Sequence, residues 1–136
     1  GALCRKNCEK EVKKFVNEMH KAGVGVIFNW NASACYKLHR KPVSNFFISN
    51  VLYWIEEYHM DGLIFSELES LLYLDYGKQP GQWVPNVYGG NENLDGIEYV
   101  KHTNSILVDR NKEVILLADI DAIWPKVTAP ILKNLR

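Results

Sequence analysis

The sequence predicts an α/β fold with about three parallel strands, flanking helices and one long aromatic loop. Residues 24–30, residues 63–65 with Ser66 at their end, and residues 114–120 are short apolar runs without strict alternation. Such runs are typical of parallel strands that are buried on both faces. The order helix, strand, helix, strand, loop, helix, strand indicates two right-handed crossovers and therefore three parallel strands.

Three segments have the three- and four-residue steps of amphipathic helices. Residues 9–22 are followed by Gly23 as a stop, and the stronger helix over residues 43–60 is followed by Gly62. Residues 91 to about 108 form a weaker third helix. The three stripes are Val12, Phe15, Val16, Met19 and His20; Phe46, Phe47, Val51, Leu52, Ile55 and Tyr58; and Ile97, Val100, Ile106 and Leu107.

The long loop, residues 71–95, is rich in aromatic residues and turn formers but has no helix or strand period. Its aromatic residues are Tyr73, Tyr76, Trp83 and Tyr88, and glycines and prolines divide it into turns. Loops of this length inside compact domains are usually functional. The alternative is an Ω-loop that packs on its own aromatic side chains.

The carboxyl ends of the predicted strands are the expected place for a site. In parallel α/β folds, ligands and reacting groups gather at that edge of the sheet. The residues concerned are 29–35, 66–69 and 119–121. Because the aromatic loop leaves from the same edge, we interpret it as one wall of a ligand cleft.

Composition and charge bound the remaining possibilities. The 136 residues fit one domain, and 16 basic residues balance 16 acidic ones, so no nucleic acid or membrane is predicted as a partner. No segment reaches the roughly 18 apolar residues of a membrane span, and we expect a cytoplasmic protein. Cys4, Cys8 and Cys35 are expected to be free thiols, and neither a metal nor a cofactor is predicted.

Several runs resemble the 1,4-α-glucan (glycogen) branching enzymes of the α-amylase superfamily. They are HMDGL from residue 59, W-V-P-N-x-Y-G-G-x-E-N-L from residue 83, ADIDAIWPKVTAP from residue 118 and FVNEMHKAGVGVIFNW from residue 15. The resemblance covers roughly residues 11–130. It implies a partial (β/α)8 TIM barrel that spans the third to fifth barrel strands, with an α-glucan such as glycogen as the polysaccharide.

The reaction of that family implies two carboxylates. One is an ionised Asp that holds the glucan chain as a covalent intermediate, and the other is a protonated Glu that acts as general acid. In retaining enzymes they stand about 5 Å apart. The chain is then passed to a glucose 6-hydroxyl to make a branch.

The resemblance places other residues at those positions in this sequence. Ile64 stands where the family has a substrate-binding Arg, and Ser66 stands at the position of the nucleophile. Asp119 replaces the general acid and is one methylene shorter. We do not expect Glu67 to substitute for the nucleophile, because the next residue along a strand end points to the opposite side.

The first strand end departs from the family in the same way. Asn29 and Ala34 occupy the positions of an Asp and a sugar-binding His. The segment over residues 35–42 is about thirty residues shorter than the usual loop of the family, and the last signature, a His-Asp pair, would lie beyond Arg136.

Three hypotheses follow. The first is a truncated or degenerate copy of a branching enzyme that is catalytically inactive. The second is a glucan-binding module in which the loop aromatics, Tyr73, Tyr76, Trp83 and Tyr88, stack on sugar rings. The third is a structural role, in which open sheet edges lead the barrel fragment to associate with itself.

Overall fold

The computed structural model describes residues 8–31 and 40–120. The helices are α1 (Cys8–Lys21), α2 (Lys41–Glu56), α3 (Glu69–Leu72) and α4 (Leu94–Arg110). The strands are β1 (Ile27–Asn31), β2 (Gly62–Ser66) and β3 (Ile115–Ala118). The predicted order of helices and strands is therefore confirmed, with one additional short helix, α3.

The three strands form one parallel sheet, as predicted, and their order in it is β1-β2-β3. Asn29 is opposite Ile64 and Asn31 is opposite Ser66, while Phe65 is opposite Ala118. Because side chains alternate along a strand and paired residues share a face, Asn29, Asn31, Ile64 and Ser66 all belong to one face of the sheet.

Helices α2 and α4 cover the opposite face of the sheet. Trp30 of β1 packs edge-on against Phe47 of α2 and lies nearly parallel to Tyr99 of α4, with ring centroids 6.0 and 6.1 Å apart. Phe65 of β2 packs edge-on against Trp30 at 5.4 Å. Leu63 and Phe65 are almost completely buried there. The core therefore lies between this face and the helices.

The prediction that all three strands are buried on both faces is wrong for β1 and β3. Ile27 is 40% exposed, and Ile115 and Leu117 are 46% and 42% exposed. The physical reason is that the helices in the described ranges pack on one face only. An apolar run identifies a strand, but it does not reveal whether a neighbour covers each face.

Two predicted core positions in the helices are also wrong. Phe15 of α1 is 57% exposed and Phe46 of α2 is 66% exposed. In α2 the predicted positions Val51 and Ile55 are buried, and Ile48, which was not predicted, is buried with them. Exposed apolar residues lie beside the buried ones, so the stripe predicted from the sequence was wider than the buried face of the helix.

Helix α2 ends earlier than predicted because the backbone turns before Gly62. His59 has a left-handed conformation with φ of 56°, which L-residues rarely adopt within a helix. The predicted stop, Gly62, is instead the first residue of β2. Arg110 at the end of α4 forms an ion pair of 2.9 Å with Glu56 at the end of α2.

Among the helices of the described ranges, none is long and apolar enough to cross a membrane. The predicted cytoplasmic location stays a prediction.

Candidate functional site

A hydrogen bond joins the first two strands on the face that the helices leave open. The hydroxyl of Ser66, the last residue of β2, donates to the side-chain carbonyl Oδ1 of Asn29 in β1 at 2.6 Å. Ser66 is buried, whereas Asn29 is exposed. The structure therefore brings together two of the positions that the resemblance singled out, and a neutral pair occupies them.

Asp119 continues the sheet beyond β3. Its backbone N–H donates to the carbonyl oxygen of Phe65 at 2.8 Å, which places the Asp119 backbone beside the end of β2. The residue is exposed. Ile64 is half-buried and belongs to the same sheet face as Ser66, while Ala34 lies outside the described residues. The substituted positions on β2 and after β3 are thus neighbours along the strand ends.

Glu67 has a different environment from Ser66. It is exposed and has a left-handed backbone with φ of 53°, so the strand ends before it. Its carbonyl oxygen accepts hydrogen bonds from the N–H and the hydroxyl of Ser70 at 3.1 and 2.7 Å, which begin the turn into α3. The turn, and not strand alternation alone, separates Glu67 from the buried position of Ser66.

Asparagine side chains organise the long loop, a role that the sequence analysis missed. Asn86 Oδ1 accepts from the N–H groups of Tyr88 and Gly90 at 2.9 and 3.1 Å. Asn86 Nδ2 donates to the carbonyl oxygen of Glu92 at 3.0 Å. Asn91 Nδ2 donates to both carboxylate oxygens of Asp75 at 3.1 and 3.0 Å. Several Asn residues in a Gly-rich segment were the available signal, since Asn supports turns through its side chain.

Asn93 joins the loop to the helices on either side of it. Its Oδ1 accepts from the N–H of Gly96 at 3.3 Å and caps α4, and its Nδ2 donates to the carbonyl oxygen of Leu71 at 2.9 Å. Leu71 lies in α3, so the prediction that the segment from residue 71 onwards is free of helix is wrong. The four residues of α3 are helical because Leu71 and Leu72 bury their side chains in the core.

The four loop aromatics have unequal exposure. Tyr88 is 86% exposed and Tyr76 is 50% exposed, whereas Tyr73 and Trp83 are half-buried. In the part of the chain that the structure describes, Tyr76, Trp83 and Tyr88 do not pack ring against ring. Hydrogen bonds, and not stacking of these three rings, therefore hold the loop.

A second polar cluster lies at the amino-terminal edge of the sheet. Asp61 Oδ2 accepts from the N–H of Val26 at 2.6 Å and lies 2.8 Å from His20 Nε2 of α1. Burial alone would raise the pKa of Asp61, but these hydrogen bonds and the nearby imidazole together hold that pKa below its ordinary value of 3.8. His20 also lines a cavity of about 360 Å³ between α1 and the end of α2. The cluster fixes α1 to the start of the sheet.

We expect acid to weaken the fold through Asp61. Because the pKa is lower in the folded state, its stabilisation is present above the unfolded-state pKa near 3.8 and is lost as pH falls through the folded-state pKa. Asp61→Asn keeps an acceptor for Val26 but removes the charge, so we expect a loss on the order of 1 kcal/mol at neutral pH. Urea unfolding at a series of pH values measures both effects.

In the same series, Asp61→Asn should flatten the dependence of unfolding free energy on pH below pH 3.8. Asp109→Asn, which removes an exposed carboxylate from α4, is the control for the loss of one charge. Equal slopes for wild type and Asp61→Asn would contradict the assignment.

A parallel α/β sheet with helices on one face, and with polar side chains at its strand ends, is the arrangement of part of a (β/α)8 barrel. Within the described ranges, no three His, Cys, Asp or Glu residues are grouped so that they could hold a metal ion. The side chains that meet, a hydroxyl and an amide, can bind a polyhydroxylated ligand through hydrogen bonds.

Known proteins with similar sequences are branching enzymes. The chain is 39% identical to the 1,4-alpha-glucan branching enzyme GlgB of Butyrivibrio fibrisolvens over an alignment of 148 residues, gaps included, that covers 85% of this chain and 23% of that enzyme. It is 34% identical to GlgB of Francisella tularensis subsp. holarctica over an alignment of 156 residues, gaps included, that covers 90% of this chain and 24% of that enzyme. No protein-family model matches the chain.

The chain is therefore homologous to one part of the 1,4-alpha-glucan branching enzymes GlgB, and it spans about a quarter of their length. The resemblance identified from the sequence is confirmed. The alignment with the B. fibrisolvens enzyme covers 148 residues and is longer than the 136 residues of the whole chain, so that relative has residues in the matched region that this chain lacks. The predicted short segment over residues 35–42 would account for such a difference.

Proposed function

We propose that this chain is a part of a branching-enzyme barrel that retains the scaffold of the site but does not catalyse glycosyl transfer. The observation that carries the proposal is the hydrogen bond from Ser66 Oγ to Asn29 Oδ1 at 2.6 Å. It joins two neutral side chains on neighbouring strands, Ser66 at the position where the family resemblance implies the nucleophilic Asp and Asn29 where it implies a further Asp.

The chemistry of these groups explains the expected lack of turnover. A covalent glycosyl intermediate needs a nucleophile that is ionised or is activated by a base. An amide carbonyl accepts a hydrogen bond but does not remove the hydroxyl proton, so Asn29 cannot activate Ser66. Asp119 is one methylene shorter than a Glu, and a proton donor that is misplaced by about 1 Å can lose roughly a hundredfold in rate.

Iodine staining of amylose tests this proposal. New branches shorten the helical stretches that bind iodine, so an active chain lowers the absorbance. We expect no measurable fall with this chain over a period in which the GlgB of B. fibrisolvens, as positive control, removes most of the colour. A fall that is reproducible and proportional to protein concentration would overturn the proposal.

A second candidate function is binding of α-glucan without chemistry. It is favoured by the exposure of Tyr76 and Tyr88 on a loop that hydrogen bonds hold in place. The names of the relatives specify 1,4-alpha-glucan as what those enzymes branch. Self-association through the sheet edges stays a prediction from the sequence, and it is compatible with this binding.

A further inference from the structure

We propose that Tyr88 is the side chain on which a glucose ring of an α-1,4-glucan stacks, and that Asn86 positions it. This inference rests on the glucan binding proposed above and assigns it to one of the four loop aromatics. The alternatives, Tyr73, Tyr76 and Trp83, present less surface to solvent.

Asn86 holds the backbone of Tyr88 from two sides. Its Oδ1 accepts the N–H of Tyr88 at 2.9 Å, and its backbone carbonyl accepts the N–H of Gly89 at 2.9 Å. Its own N–H donates to the carbonyl oxygen of Gly90 at 2.9 Å. Gly89 takes the left-handed conformation, with φ of +81°, that closes this turn. The turn over residues 86–90 is therefore a closed, hydrogen-bonded unit.

The same turn is attached to the rest of the loop. Asn86 Nδ2 donates to the carbonyl oxygen of Glu92, and a β-bridge pairs Glu92 with Tyr73, the residue that follows α3. A Cβ at Gly90 would meet the Glu92 carboxylate, so a side chain there would require Glu92 to move. The backbone that carries Tyr88 is thus fixed, through Glu92, relative to α3.

A fixed backbone with an exposed ring suits recognition of a sugar. Tyr has few rotatable bonds, so a ring on an ordered backbone loses little conformational entropy when a ligand contacts it. The turn residues 84–90 carry no charge, which matches a neutral polysaccharide.

Partial exposure alone does not make a tyrosine ring available to a ligand, as a tyrosine in α2 shows. Tyr53 of α2 is 41% exposed, but its ring packs edge-on against Tyr58 with centroids 5.3 Å apart, and its hydroxyl lies 3.5 Å from Glu9 Oε1. The ring of Tyr53 is therefore engaged inside the protein, whereas the ring of Tyr88 is open to solvent.

Affinity electrophoresis in native gels that contain glycogen tests the assignment, with gels free of polysaccharide as reference. We expect glycogen to retard the wild-type chain and Tyr88→Ala to bind at least about fivefold more weakly, the effect of losing one aromatic contact. Tyr88→Trp should retain or strengthen binding. Asn86→Ala should weaken binding while the ring itself remains.

Val87→Ala is the matched control, because it removes an equally exposed apolar side chain from the same turn but no ring. It should bind like the wild type. Circular dichroism establishes that each variant is folded. If the wild type is retarded and Tyr88→Ala is retarded equally, the assignment to Tyr88 is overturned. If glycogen does not retard the wild type, the proposed glucan binding itself is wrong.

Discussion

Phe65→Ala is expected to cost about 3–5 kcal/mol of folding free energy, because it removes a buried ring from the centre of the sheet. Phe65 is 1% exposed and lies in the middle strand, with its ring against Trp30. Typical domains are stable by about 5–15 kcal/mol in total. The variant should therefore unfold at much lower urea concentration than the wild type, as followed by circular dichroism.

Phe15→Ala provides the control for this measurement. It makes the same chemical change in α1, at a side chain that is 57% exposed. Exposed substitutions usually change stability by less than about 0.5 kcal/mol. Tryptophan fluorescence, to which Trp30 contributes, should change on substitution of Phe65 and not of Phe15. Similar losses for the two variants would mean that the core does not lie between the sheet and the helices as described.

The fold was largely predictable from the sequence because its signals are local. The apolar run that contains Leu63 and Phe65 gave the middle strand, and the alternation of helix and strand gave parallel pairing. The sequence does not show which face of each strand is covered by helices and which is exposed. Ile115 and Phe65 are both apolar strand residues, yet one is 46% exposed and the other is 1% exposed. Only the arrangement of the helices distinguishes them.

The candidate site was predictable only in part, because the contacts that form it join residues that are distant in the sequence. The resemblance named Asn29 and Ser66 as positions, but their contact depends on the register between β1 and β2, which a single sequence does not encode in any local pattern. The role of Asn86 was missed because its hydrogen bonds go mainly to the backbone of nearby residues and close a turn. Turn composition indicates that a loop is ordered, but not which side chain orders it.

The residues that hold the long loop and the residues at the reactive positions are structurally independent of each other. The loop is held by Asn86, Asn91 and Asn93 without any bond to Ser66 or Asp119 among those described above. Reactive residues can therefore be replaced while the loop keeps its shape. This independence is the physical basis for proposing that glucan contact at Tyr88 persists without chemistry at Ser66.

Gly62→Ala is expected to separate β3 from β2. A Cβ at Gly62 would collide with the backbone carbonyl oxygen of Ile115, which cannot rotate away as a side chain can. Overpacking in a core typically costs about 1–3 kcal/mol, and an overlap with backbone places this variant at the upper end or above it. The hydrogen bond from the N–H of Ile115 to the carbonyl oxygen of Asp61, now 2.9 Å, should lengthen or break.

Amide hydrogen exchange measures this separation strand by strand. In Gly62→Ala, amides of β3 should lose protection more than the amides of β2 that point toward β1. Gly25→Ala is the matched control, because a Cβ there makes only ordinary contact with the Asp61 carboxylate and should change stability by less than about 1 kcal/mol. Unchanged protection of β3 in Gly62→Ala would show that the backbones of Gly62 and Ile115 are not in the close contact described, and with it the register of β2 and β3 would have to be revised.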